Sequence, residues 1–143
     1  MASAVDLSAC IDCHCLAARR TARAVTRDFE ARLRPHGLRA TQFSILAALS
    51  LKGPTPVTEL AETLGLERTS LTRSAAVVER RGWIETAQSS DAREHVLRIT
   101  PEGRRTIEAA FPAWQEAQDL VGQKLEQGEY QMSPRDARQA ARL

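Results

Sequence analysis

Hydrophobic and polar positions between Val57 and Thr100 change period twice, and the changes mark out two helices followed by two strands. Leu60, Ala61 and Leu64 recur at helical spacing in Thr58–Leu64, and Gly65 follows where a sharp turn needs a residue that tolerates positive φ. A second helix is predicted from Arg68 through Val77 and Val78 to Arg81, stopped by Gly82. Its apolar residues Leu71, Ala75 and Val78 share an inward face, while Arg68, Thr69, Ser70, Thr72 and Arg73 lie outward. Trp83–Thr86 and His95–Thr100 then read as strands around a polar hairpin loop, Gln88–Glu94. Two helices across a tight turn, with a hairpin after them, make a winged helix.

The flanks are helical. Residues 1–12 are small and polar enough to fray, apart from Cys10 and Ile11, and a long helix is predicted from Cys13 to Arg34, ended by Pro35 and Gly37. Ala18, Ala22, Val25, Phe29 and Leu33 form its apolar stripe; Arg19, Arg20, Arg23, Arg27 and Arg32 crowd the other face, which reads mainly as a solvated surface. After the connector His36–Ala40, a helix from Thr41 to about Leu51 carries Phe43, Leu46, Ala47 and Leu49 to Leu51 as a largely buried segment. Thr41 is the expected N-cap, and Arg39, Thr41 and Gln42 stand where a helix N-terminus can also hold a phosphate. Gly53-Pro54-Thr55-Pro56 breaks the chain before the winged region. Beyond Pro101 and Gly103, Ile107, Phe111, Trp114, Val121 and Leu125 repeat at helical spacing, with Pro112 expected to kink the helix. Gln127–Gln131 is a break, and Ser133 caps a last short helix opening at Pro134.

These elements predict a mainly α protein with a small β-hairpin wing, one domain over residues 1–143. Residues 38–103 would form the winged helix-turn-helix. Residues 13–37 and 104–143 would pack together, and against a second chain, as a helical dimerisation layer, since a lone winged helix does not need them.

Composition adds constraints. Hydrophobic content of 43% and charged content of 27% are ordinary for a globular domain. The net charge of +2 does not announce nucleic acid by itself, and residues 53–105 hold eight basic and eight acidic side chains. A contact with DNA would therefore rest on a few placed arginines rather than on a polycationic surface. The hydroxyls and guanidinium forks at 68–73 suit base edges and phosphate oxygens. No apolar run approaches a membrane span and no signal segment opens the chain, so a cytoplasmic protein is expected, with no cofactor called for.

The runs Thr58–Leu64, Gly65-Leu66, Thr69–Arg73 and Glu79–Ile84, then Asp91-x-Arg93 and Leu97-x-Ile99-Thr100-Pro101-x-Gly103, resemble the MarR (multiple antibiotic resistance regulator) family. The resemblance runs from about Cys13 to about Leu125 and is specific, because the wing D-x-R and the L-x-I-T-P-x-G occur together. It implies a homodimeric, DNA-binding transcriptional regulator, usually a repressor. Two recognition helices roughly 34 Å apart would enter successive major grooves of palindromic double-stranded DNA. Arg93 would reach the minor groove with Asp91 orienting its guanidinium; otherwise the two form a surface ion pair worth about 0–1 kcal/mol. A small effector would bind where the helical layer meets the winged helix, with Val25, Phe29, Phe43, Leu46 and Trp114 as walls, each also explicable as core.

Cys10, Cys13 and Cys15 lie within six residues, with His14 among them. Four readings compete: soft, partly buried thiols at the dimer layer, redox sensors, N/S ligands of a metal, and a c-type haem pattern in Cys10–His14 that the missing export signal makes a coincidence. Cys13 or Cys15 falls near where the hydroperoxide-sensing branch of the family carries its reactive cysteine, held there by tyrosines; the one tyrosine here is Tyr130. No catalytic constellation surrounds His14, His36 or His95. The competing function is a winged-helix protein-interaction or metal/redox-sensing module without specific DNA binding.

Overall fold

Asp6 accepts a hydrogen bond from the Ser8 amide (2.9 Å) and so caps a 3-10 helix over Leu7–Asp12. Order thus begins earlier than the polarity of residues 1–12 predicts, because one carboxylate satisfies an amide that would otherwise be orphaned. A computed structural model describes residues 4–87, 91 and 93–130. The elements are α1 (His14–Leu33), α2 (Ala40–Lys52), β1 (Thr55–Pro56), α3 (Val57–Thr63), α4 (Arg68–Arg80), β2 (Ile84–Ala87), β3 (Val96–Ile99) and α5 (Pro101–Glu126). α5 is unbroken through Pro112. The short helix expected from Ser133 lies outside the described residues.

Contacts divide the chain into two compact units. A helical unit takes in α1 up to Ala31 and the chain from Gln115 onward; a winged unit spans Arg32–Trp114. The latter contains the expected winged region, 38–103, together with the end of α1 and the first half of α5.

In the winged unit Leu33, Ile45, Leu46, Leu49, Leu60, Leu71, Val78 and Ile84 are fully buried. Each such side chain contributes about 1.5–3 kcal/mol by leaving water. Leu51, expected inside with Leu49, is instead exposed: two residues along a helix is a turn of about 200°, so both cannot face one core. Thr41 is not the N-cap of α2 either. Arg39 holds that position with extended backbone, and its amide donates to Oε1 of the buried Gln42 (3.0 Å), the residue three positions into the helix that can reach back.

The stretch Gly53–Pro56, read as a break, supplies a third strand. β1 pairs antiparallel with β3 (Thr55 opposite Leu97, Pro56 opposite Val96), β2 pairs on its other side (Ile84 opposite Ile99), and the sheet order is β1-β3-β2. Pro56 is tolerated because it sits on an edge strand. Two residues carry too little periodicity to be recognised before their partner strand is in place.

The turn between α3 and α4 is as the sequence predicts. Gly65 has φ +63°, its amide donates to Glu62 O (3.2 Å), and the Leu66 amide donates to Ala61 O (2.9 Å), which uses up the last carbonyls of α3. At the other end of the wing, Thr100 joins three elements. Its hydroxyl donates to Gly82 O (2.6 Å) and accepts from the Gly103 amide (3.0 Å), capping α5, while its own amide donates to Trp83 O (3.0 Å). A Cβ on Gly103 would lie 2.0 Å from that same Trp83 oxygen, so only glycine lets α5 start this close to the strand. The Thr-Pro-x-Gly run is thus a cap, a first-turn proline and a close approach in four residues.

Candidate nucleic-acid interface

α4 forms a two-faced helix because its apolar residues recur at three and four. Leu71, Ala75 and Val78 are buried, whereas Arg68, Thr69, Ser70, Thr72 and Arg73 are all exposed. At about 100° per residue, Thr69 and Arg73 stand opposite the buried stripe, at the crest of the helix. Arg68 and Thr72 lie nearer the wing. They border a groove of about 420 Å³ between α4 and the sheet, which Thr86 and His95 also line. Neither Thr86 nor His95 is distinguishable in the sequence as a groove residue, since the pairing of β2 with β3 is what brings them beside α4.

The hydroxyl of Thr72 donates to Arg68 O (2.8 Å), so it offers a partner only its lone pairs and its methyl. Arg68, Arg73 and the Arg93 guanidinium hold no ion pair among the described residues. In the wing, Asp91 Oδ1 accepts from the Arg93 main-chain amide (2.9 Å) and Asp91 O accepts from the Glu94 amide (3.1 Å). Among the described residues Asp91 therefore holds the main-chain amide of Arg93 and not, as expected, its guanidinium: Asp91 shapes the turn from which Arg93 projects. β2 and β3 beneath it are tied by Arg98 Nε to Glu85 Oε1 (2.8 Å).

The N-terminus of α2 offers less than the sequence suggests. Arg39 is exposed and Thr41 half-buried, but Gln42 is buried and its Oε1 is spent on the Arg39 amide. A feature without a clear sequence signal is Arg81. It donates to Gly37 O and stacks over Trp83 at 4.8 Å, fastening the C-terminal end of α4 to the segment before α2.

Phe43 and Trp114 lie together at an apolar concavity of about 380 Å³ in the winged unit, which Ile107, Phe111, Ser50 and Arg104 also line. The Trp114 ring stacks on Phe43 (5.8 Å) and on Phe111 (5.7 Å). Ser50 Oγ is buried there with no hydrogen-bond partner among the described residues. Leu46 is fully buried and does not line the concavity, while Val25 and Phe29 are half-buried on α1 in the helical unit.

Cys10, Cys13 and Cys15 are all free and exposed in the single chain. The Cys13 amide donates to Cys10 O (3.3 Å), and Arg19 Nη2 lies 3.6 Å from Cys15 Sγ. Among the described residues no three His, Cys, Asp or Glu side chains gather as a metal ion would require, and no helix is long and apolar enough to cross a membrane.

Comparison with known proteins agrees with this geometry. YwoH of Bacillus subtilis strain 168, an uncharacterised HTH-type transcriptional regulator, is 30% identical over 89 residues, which are 62% of this chain and 65% of its own. The match thus spans just under two-thirds of that relative's length. The M. tuberculosis transcriptional regulator MosR, crystallised in complex with DNA, is 39% identical with a TM-score of 0.70, over 76% of this chain and 80% of that one. A further crystal structure of MosR aligns over 96% and 94% at 32% identity and a TM-score of 0.71. Overoxidised AbfR bound to DNA is 26% identical over 79% and 87%, with a TM-score of 0.65. The sequence profile of the MarR family matches residues 36–94, and with its winged helix and these relatives the chain belongs to that family.

Proposed function

We propose that this protein is a homodimeric, sequence-specific DNA-binding transcriptional regulator that acts as a repressor. The observation that carries the reading is the exposed face of α4: five residues with hydroxyl or guanidinium groups, the two arginines without an ion pair among the described residues, on a helix whose other face is buried. Arg73 and Thr69 at the crest read base edges in the major groove; Arg68 and Thr72, beside the groove toward the wing, hold phosphate; Arg93, carried on the turn made by Asp91, reaches the minor groove. Arg39 and Thr41 add phosphate contacts at α2, and Gln42 keeps that helix end in place. Structures of MosR and AbfR with DNA support the assignment. The helical unit supplies the dimer contact: Val5, Leu7, Ile11 and Leu125 are large apolar side chains left exposed on a single chain. The test is a titration of the purified protein against an inverted repeat from the DNA flanking its gene. Saturable binding that fails on a scrambled repeat is expected; equal binding to both would reduce the protein to a winged-helix interaction module.

Release from DNA has two routes in this reading. A small apolar effector fits the concavity walled by Phe43, Phe111 and Trp114, where Ser50 Oγ and Arg104 offer polar partners. Oxidation of the thiols is the second, favoured by the exposure of all three and by the arginine next to Cys15. Peroxide lowers operator affinity and dithiothreitol restores it; replacing all three cysteines with serine keeps DNA binding and removes the response. Unchanged affinity of wild type after peroxide leaves the cysteines a structural role.

A further inference from the structure

Four arginines and no aspartate or glutamate occupy α1 from His14 to Arg27. Arg20, Arg23 and Arg27, spaced at three and four, share one face of the helix, where like charges repel by a few tenths of a kcal/mol per pair. None of the three holds an ion pair or hydrogen bond among the described residues. The next acid on the helix is already engaged: Asp28 Oδ2 accepts from the Tyr130 hydroxyl and from Lys124 Nζ (3.0 Å). Those bonds hold the turn after α5 against α1, with Tyr130 buried, and enclose a concavity of about 510 Å³. Its walls are Arg20, Arg23 and Arg27 on one side and Glu129 and Tyr130 on the other, with Thr21 and Ala24 also lining it. Among the described residues that line it, three guanidiniums face one carboxylate, an excess of two positive charges.

We propose that this cavity binds a small phosphate-bearing anion, separately from both the DNA-contacting face and the apolar concavity of the winged unit. Three guanidinium forks can grip phosphoryl oxygens in pairs, and their planar donors fit phosphate better than any single ammonium would. The volume suits a small molecule. A second copy of the chain is the less fitting occupant, because the core of a subunit contact excludes charge, and none of the large exposed apolar side chains among the described residues of the helical unit, Val5, Leu7, Ile11 and Leu125, lines this cavity.

Inorganic pyrophosphate is the probe, titrated calorimetrically into the full-length protein at constant ionic strength, with citrate as a carboxylate of similar charge. Pyrophosphate should bind saturably and citrate at least about tenfold more weakly. Arg23→Ala should weaken pyrophosphate about tenfold or more and Arg23→Lys by less, whereas Arg105→Ala, on the winged part of α5, should bind as wild type does. Circular dichroism of each variant separates lost binding from lost folding. The proposal is overturned if pyrophosphate does not saturate wild type, if Arg23→Ala binds it unchanged, or if citrate binds as tightly. It is also overturned if wild type ignores pyrophosphate while Arg23→Ala dissociates the protein in sedimentation, which would assign the arginines to a subunit contact.

Discussion

The winged unit and the helical unit solve the problem of stability differently. The winged unit has a core of its own: eight aliphatic side chains are fully buried, although Leu51 and Phe111 stay exposed, and a cap, a proline and a glycine at Thr100–Gly103 fix where α5 leaves the sheet. The helical unit buries little of its own. Among the described residues its buried side chains are Ala17, Ala117, Val121 and Tyr130, and Val5, Leu7, Ile11 and Leu125 are exposed. What it lacks in apolar burial is partly offset by the polar tie of Asp28 with Lys124 and Tyr130. From that contrast we expect the winged unit to present its surface on a core of its own and the helical unit to be completed by a second copy.

The hardest test of the first half of that contrast is Gly103→Ala. Glycine to alanine inside a helix ordinarily stabilises by about 1 kcal/mol. Here the new methyl meets Trp83 O at 2.0 Å, so we expect a loss of about 3 kcal/mol or more, read from denaturant unfolding. A gain would show that α5 can shift away from the strand freely.

Next come the two interiors. Leu71→Ala, in the core beneath the α4 crest, should cost about 2–5 kcal/mol and take operator binding with it through folding. Leu125→Asp, by contrast, should change the stability of a single chain by no more than about 0.5 kcal/mol but shift sedimentation from dimer toward monomer and weaken binding to the full inverted repeat. Leu125 is the appropriate probe because Val121, which the helical spacing puts on the same apolar stripe, is already buried within the chain; a charge there would damage the fold before it tested assembly. A Leu125→Asp variant that remains fully dimeric would refute the division.

Smaller effects should come from the presented surface itself. Arg73→Ala and Arg93→Ala should each weaken operator binding by about 1–3 kcal/mol with the melting temperature unchanged, as expected for exposed side chains that hold no ion pair among the described residues. Wild-type affinity in both would remove α4 and the wing from the interface. The smallest change expected is Tyr130→Phe, which deletes one hydrogen bond to a carboxylate at a cost of about 1–2 kcal/mol near neutral pH. Burial, reinforced by the Asp28 carboxylate, raises the Tyr130 phenol from 10.0 to about 12. Because the folded state holds the proton more tightly, the stabilisation is complete below pH 10 and fades as pH rises through about 12. Wild type should therefore lose its advantage over Tyr130→Phe across that window, and parallel stability curves would contradict the tie.

Periodicity alone determined the α3–Gly65–α4 turn, the inward set Leu71, Ala75 and Val78, the outward set from Arg68 to Arg73 and the two wing strands, since each depends on residues within a turn or two of one another. The D-x-R and L-x-I-T-P-x-G runs added the family, and the structure supplied the reason for the second of them in the Trp83–Gly103 approach. Tertiary structure alone decided the rest. β1 exists because β3 offers it a partner; Gln42 became a capping residue because Arg39 adopts an extended backbone; Arg81 found Gly37, and Asp28 found Tyr130, across 44 and 102 positions of chain. Such pairs leave no periodic trace, because a hydrogen bond between distant residues depends on where the chain returns and not on the spacing of its apolar side chains.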